Sequence, residues 1–159
     1  MSGSAFHAVQ EQSYAKAGRS VLASWPAGRS MDEEALGRFL ARKRYCVLAT
    51  VTPAGAPQAR PVAFCLVDGA LWFATVGGAR LPNLRADPRV SVVIAEGEAA
   101  EHAMVLAEGG VEIHEDDATR ERLTQVWREQ HGSEPGWAVA FLELRPERVF
   151  SYLAARAGA

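Results

Sequence analysis

Thr75, Gly77, Gly78 and Arg80 follow closely on one another where a β-like run, residues 71–76, turns through two glycines into a short helical pattern closed by Pro88. These residue types in this order suit an anion. N–H groups at a strand-to-helix turn lack helical partners, and the helix dipole favours negative charge. The threonine adds a hydroxyl and the arginine a permanent, fork-shaped cation. Phosphate is the anion that matches best, although a plain strand-to-helix turn with a solvated arginine uses the same residues. Arg60 belongs with this group. Asp68-Gly69 is a two-residue hairpin signal, and about that turn position 60 falls opposite roughly position 77. Arg60, Thr75 and Arg80 are therefore expected to converge on one phosphomonoester. Val62, Phe64 and Phe73 lie beside them at alternating positions, as walls for a flat ring or as plain core.

No other chemistry announces itself. The four histidines (His7, His102, His114 and His131) form no HxH, HExxH or i, i+4 pair, so no metal site is expected. The chain has no GxSxG elbow, Walker loop or GxGxxG after a first strand. Glu96, Glu98 and Glu101 read as solvated loop acids rather than a catalytic pair. Tyr45 and His102 are weak candidates for a proton donor, and no catalytic residue can be named. If the protein is an enzyme, a cofactor carries the chemistry. The slightly acidic balance, net charge −2, argues against a general nucleic-acid or anionic-membrane binder. No run is long and apolar enough to span a bilayer, and the first residues lack a secretory hydrophobic core. Cys46 and Cys65 fall in predicted strands without redox or metal spacing, so they are expected as buried thiols in a reducing cytoplasm.

The elements that position these residues follow from periodicity. Residues 5–24 are compatible with a helix weakened at Gly18, with Phe6, Val9, Tyr14, Ala17, Val21 and Leu22 along one side. It is either an arm on a partner subunit or a helix on its own domain. Asp32 is a natural N-cap for a helix with Leu36, Phe39 and Leu40 facing inward, and Arg42-Lys43-Arg44 compensate its C-terminal end. Strands are expected at 45–52, 58–67, 70–76, 90–95, 104–114, 138–144 and 149–153. Pro61 points to a sheet edge, a bulge or a place where the backbone faces a ligand, and Gly109-Gly110 to a bend. A helix starting at Asp116 or Asp117 runs to about His131. Three strands joined by hairpins and a fourth after one short helix make a meander, hence an antiparallel barrel or sandwich.

The runs Arg60-Pro61-Val62-Ala63-Phe64, Leu71-Trp72-Phe73-Ala74-Thr75 and Arg80-Leu81-Pro82-Asn83-Leu84-Arg85-Ala86-Asp87-Pro88-Arg89-Val90 resemble the pyridoxamine 5'-phosphate oxidase-like superfamily. Val47-Leu48-Ala49-Thr50-Val51 and Leu144-Arg145-Pro146-Glu147-Arg148-Val149 fit it too, so the likeness covers about residues 32–153. The resemblance implies a mainly β fold with flanking helices, an antiparallel six- to seven-stranded split β-barrel. It also implies a homodimer with cofactor sites at the interface. The expected organisation is an N-terminal helical arm at 1–30, the barrel at 31–154 and a loose tail at 155–159. The implied cofactor is flavin mononucleotide (FMN), or in one branch of the superfamily the deazaflavin coenzyme of the F-420 type. Arg60, Thr75 and Arg80 match phosphate contacts by position, and Val62 and Ala63 match the strand along the isoalloxazine ring. Pro61 and Asn83, in the same runs, complete the expected cofactor-binding set.

There are departures. Arg80 stands where lysine is common, Met104 where a flavin-contacting glutamine is expected, and the basic cluster for a substrate phosphate is missing. True vitamin B6 oxidation is therefore not expected. Three readings follow: an FMN oxidoreductase acting on a small planar or unsaturated molecule, a deazaflavin reductase with Arg85 and Arg89 along the coenzyme tail, and a carrier or sensor without turnover.

Overall fold

A computed structural model describes residues 2–154. The tail expected to be loose, 155–159, lies outside the described residues. Two helices open the chain, α1 (Ser2–Lys16) and α2 (Arg19–Ser24), broken near Gly18. α3 (Glu33–Arg42) begins at the Asp32 cap, whose carboxylate accepts from the Ala35 N–H at 2.8 Å. The strands are β1 (Tyr45–Val51), β2 (Pro57–Ala63), β3 (Cys65–Val67), β4 (Ala70–Thr75), β5 (Arg89–Glu96), β6 (Ala103–His114), β7 (Ala140–Leu144) and β8 (Arg148–Leu153). α4 (Arg80–Ala86) joins β4 to β5, and α5 (Asp117–His131) joins β6 to β7.

All pairings are antiparallel, in the order β2-β1-β5-β6-β7-β4-β3, with β8 also on β6. This is the curled, split sheet with flanking helices that the sequence led one to expect. The strand expected at 58–67 is two strands, because the chain leaves the ladder at Phe64, whose N–H donates to the Arg44 carbonyl at 2.9 Å. The hairpin ladder from Asp68-Gly69 therefore stops at Cys65↔Trp72, and β2 pairs with β1, placing Arg60 opposite Leu48 rather than position 77. Pro61 does not break the strand. It sits on β2, at the edge of the sheet, where a missing N–H costs least.

β6 changes partner along its length, from β8 at Ala103–Glu108 to β7 at Val111–His114. Gly109 lies at the switch, and a Cβ there would come within 3.1 Å of the Arg145 carbonyl oxygen and 3.2 Å of the Glu147 nitrogen. A side chain there would push the turn back by a few tenths of an ångström.

The main core fills the curl with Phe39, Leu48, Phe64, Leu71, Phe73, Ile94 and Leu142, among others. Every residue of β4 is buried: Leu71 and Phe73 face this core, while Trp72 and Ala74 face a second cluster beneath α5 with Leu123, Trp127 and Phe141. α1 lies on β8 and α3 of its own chain. Its inward face is not the apolar stripe read from periodicity. Phe6 is buried there, but so are Gln10 and Ser13, while Val21 and Leu22 stay partly exposed. The polar pair is satisfied: Gln10 donates to the Met31 carbonyl at 2.8 Å, and the Val149 N–H donates to Ser13 Oγ at 3.0 Å. Buried polar groups with partners cost little, so an inward face can be part polar and still dock.

Candidate functional site

Where β2 parts from β3, a cavity of about 470 Å³ opens. Leu48 and Thr50 of β1 and Gln58, Arg60 and Pro61 of β2 line one side, and Thr75 to Arg80 line the other. The expected convergence of Arg60, Thr75 and Arg80 is thus present, reached by divergence of the strands and not by a continued hairpin. Gly78 adopts φ 140°, a conformation that side chains rarely take, so the turn after β4 depends on it. α4 is only seven residues long and has no side-chain N-cap, so charge on the site comes mainly from the arginines.

Arg80 donates to Thr75 Oγ1 at 3.2 Å, and Thr75 Oγ1 in turn donates to the Val76 carbonyl at 3.1 Å. Burial holds the Arg80 guanidinium below the ordinary arginine range, and the neighbouring Arg60 adds to that against the opposing pull of Cys46. Arg60 donates to its neighbour Ala59's carbonyl at 2.9 Å. Among the described residues neither arginine has a carboxylate partner. Two adjacent cations, one half-buried, with a hydroxyl and open backbone between them, are chemically suited to a doubly charged anion.

A second cavity, about 380 Å³, shares Pro61, Val76 and Arg80 with the first. Val62 and Ala63 line it, as do Tyr45, a weak proton-donor candidate in the sequence, and three residues absent from the sequence reading as a site: Trp127, His131 and Trp137. In the sequence Trp127 reads only as an inward helix residue and His131 as a helix end, and Trp137 falls between elements, because nothing in their spacing says that α5 packs on β3 and β7 and brings its end beside β2 across this cavity. The remaining candidates fall elsewhere. Phe64 and Phe73 are fully buried barrel core, not walls. Asn83 is buried behind the first cavity, donating to Thr50 Oγ1 at 3.3 Å and Gln58 Oε1 at 2.9 Å, so it sets two lining residues in place. His102 stacks on Tyr152 at 5.1 Å, away from both cavities. Glu96 is paired with Arg42 and Lys43, Arg85 with Glu115 at 3.0 Å and Arg89 with Asp87 at 2.7 Å.

The cysteines are free and buried, and burial pushes both thiols up to about 12. One cluster that histidine spacing did not reveal comes from register: Glu112 opposes Glu143, and His114 Nε2 lies 3.0 Å from the Glu143 carboxylate. Arg145 pairs with the other Glu143 oxygen at 2.6 Å, so the buried carboxylate is already neutralised.

The pyridoxine/pyridoxamine 5'-phosphate oxidase of Rubrobacter xylanophilus is 34% identical over 121 residues, which span 71% of this chain. The chain spans only about half, 55%, of that relative's length. Among solved structures, a conserved hypothetical protein of Mycobacterium tuberculosis superposes with a TM-score of 0.75 at 25% identity, covering 85% of this chain and 92% of its own. An FAD-binding protein of Mesorhizobium loti superposes with a TM-score of 0.63, also at 25% identity, covering 77% of this chain and 93% of its own. The family model described as pyridoxamine 5'-phosphate oxidase matches residues 32–153, from the cap of α3 to the end of β8, and the chain belongs to that family.

Proposed function

We propose that this protein binds FMN and serves as a flavin-dependent oxidoreductase for a small planar molecule. The observation that carries the reading is the pair Arg60 and Arg80, which lack carboxylate partners among the described residues and line one cavity with Thr75. The arrangement suits a monophosphate. Two guanidinium groups and one hydroxyl match the charge of a phosphomonoester dianion, and a guanidinium fork such as that of Arg80 can donate two parallel N–H bonds. A flavin, when bound, supplies two-electron transfer. The protein supplies the rest: Arg60, Thr75 and Arg80 hold the phosphate, Asn83 holds Thr50 and Gln58, and Pro61 to Ala63 form the wall along which a ring lies. The family match and the FAD-binding structural relative support a flavin. Arg85 and Arg89 already carry carboxylates, which favours FMN over a deazaflavin with a long anionic tail. The expected assembly is a homodimer with the cofactor at its interface, in keeping with Tyr45, Val47 and Val93 exposed on β1 and β5.

An absorbance spectrum of the purified protein, followed by titration with FMN and with the deazaflavin coenzyme, tests this. Flavin bands or saturable FMN uptake support it, and turnover with an electron acceptor separates an enzyme from a carrier. Uptake of the deazaflavin alone overturns the FMN assignment.

A further inference from the structure

Register in the sheet gathers a second charged group, outside the linings of both cavities. Trp72 of β4 stands opposite Glu143 of β7, and Glu143 opposite Glu112 of β6, with His114 two residues along β6 on the same face. His114 Nε2 lies 3.0 Å from Glu143 Oε2 and 4.0 Å from Glu112 Oε1, and the three ligating atoms all lie within 4.8 Å of one another. The other ring nitrogen, Nδ1, lies 3.9 Å from Asp116 Oδ2, while Asp116 Oδ1 caps α5 by accepting from the Thr119 N–H at 2.8 Å. Arg145 neutralises Glu143 through Oε1, at 2.6 Å. Glu112 and Asp116 have no lysine or arginine partner among the described residues, so two negative charges stand uncompensated around one imidazole. Two buried polar atoms of the same rung, Trp72 Nε1 and Glu143 Oε1, make no hydrogen bond among the described residues, and the Trp72 ring lies 5.0 Å from that of His114. Such atoms are rare in native interiors, and a bound ion with its water is one of their usual causes.

We propose that Glu112, His114 and Glu143 bind a divalent transition-metal cation, Zn²⁺ by preference, which ties β6 to β7 at the start of α5. Zn²⁺ takes imidazole nitrogen and carboxylate oxygen at about 2.0–2.2 Å, so neighbouring ligand atoms of a tetrahedral site stand about 3.4 Å apart. The gaps of 3.0 and 4.0 Å straddle that spacing, and the Glu112 side chain, 75% exposed, is free to close the longer one. The imidazole selects against Mg²⁺ and Ca²⁺, which want oxygen ligands and more of them. The surroundings are those of ligating groups: Nδ1 faces Asp116 while Nε2 faces the two glutamates, and Glu143 keeps Arg145 on the oxygen turned away from His114. Water in the fourth position is a donor for Glu143 Oε1 and an acceptor for Trp72 Nε1. A plain hydrogen bond between His114 and Glu143 leaves the charges of Glu112 and Asp116 unanswered, whereas a divalent cation balances them. The site stands independently of the flavin reading.

Calorimetric titration of the EDTA-treated full chain with Zn²⁺, thermal melts with and without the metal, and visible spectra with Co²⁺ test the proposal. The wild type is expected to take one Zn²⁺ per chain, to melt higher with it, and to give the Co²⁺ bands of a tetrahedral nitrogen and oxygen site. Glu112→Gln, an exposed change, is expected to melt like wild type without metal and to bind Zn²⁺ at least about tenfold more weakly. Asp116→Asn keeps a good N-cap residue and is expected to lose about tenfold as well. His7→Gln removes a histidine that has a carboxylate beside it on α1, Glu11 at 3.7 Å, and should change nothing. No saturable Zn²⁺ uptake by the wild type overturns the proposal, as does uptake that Glu112→Gln leaves unchanged or that His7→Gln removes. Thiolate charge-transfer bands with Co²⁺ put the metal on a cysteine and overturn it too. FMN titration of the same variants, expected to match wild type, keeps the cofactor reading separate.

Discussion

Replacing Arg80 with alanine should weaken cofactor binding while leaving the free protein about as stable as before. In the free protein the guanidinium is half-buried beside Arg60 and makes one hydrogen bond, to Thr75 at 3.2 Å. Losing that bond costs about 1 kcal/mol, but the substitution also removes a desolvated charge and its repulsion with Arg60, so the terms offset. With FMN bound, the same group donates charge-assisted bonds worth about 1.5–3 kcal/mol, so affinity should fall by roughly 10- to 150-fold. Arg80→Lys keeps the charge and loses the fork, and should fall between wild type and alanine. Fluorescence titration with FMN and thermal melts of the apoprotein give the two numbers. Unchanged affinity in Arg80→Ala would show that no phosphate sits at this turn. A loss of affinity matched by a melting temperature lower by about 5 °C or more would make Arg80 a structural residue and refute the argument.

Other outcomes follow from the same geometry. Asn83→Leu leaves Thr50 and Gln58 without their donor, should destabilise the fold by about 1–3 kcal/mol in urea unfolding, and should weaken FMN indirectly. Gly109→Ala should cost about 1–3 kcal/mol because its Cβ meets backbone on two sides, whereas Gly110→Ala, with open space around it, should change stability by less than about 1 kcal/mol. The thiol pKa values, raised from 9.0 to about 12 by burial, mean that the unfolded chain loses thiol protons first as pH rises. Stability should therefore be intact below pH 9 and fall between pH 9 and 12, by up to about 1.4 kcal/mol per pH unit for each thiol. A Cys46→Ala/Cys65→Ala variant should show a flatter alkaline limb, and native wild type should react with a thiol reagent only on unfolding.

The strands, the caps at Asp32 and Asp116 and the Asp68-Gly69 hairpin were legible because each rests on local chemistry: alternation, a side-chain acceptor, a turn dipeptide. The convergence of Arg60, Thr75 and Arg80 on one cavity was legible in its residues but not in its route. Extending the hairpin register past Phe64 brought Arg60 to Thr75 on paper, whereas in the molecule β2 peels away to β1 and the cavity is the gap left behind. The split at Phe64 depends on a backbone bond to Arg44, a contact that no local pattern encodes. The polar inward face of α1 was hidden for a similar reason, since Gln10 and Ser13 are matched by Met31 and by Val149, both far along the chain. The aromatic cavity was least legible of all. Tyr45, Trp127, His131 and Trp137 meet only because α5 packs on β3 and β7 and carries its end and the following loop to this cavity.

The central claim is that paired arginines anchor the phosphate of a flavin, and comparing FMN with riboflavin on the wild-type protein tests it most directly. The two ligands share the ring and differ in the phosphate alone. Two charge-assisted contacts of about 1.5–3 kcal/mol each predict that FMN binds at least about 100-fold more tightly, with the difference shrinking in Arg60→Ala and Arg80→Ala. Equal affinity for FMN and riboflavin, or no affinity for either, would contradict the account.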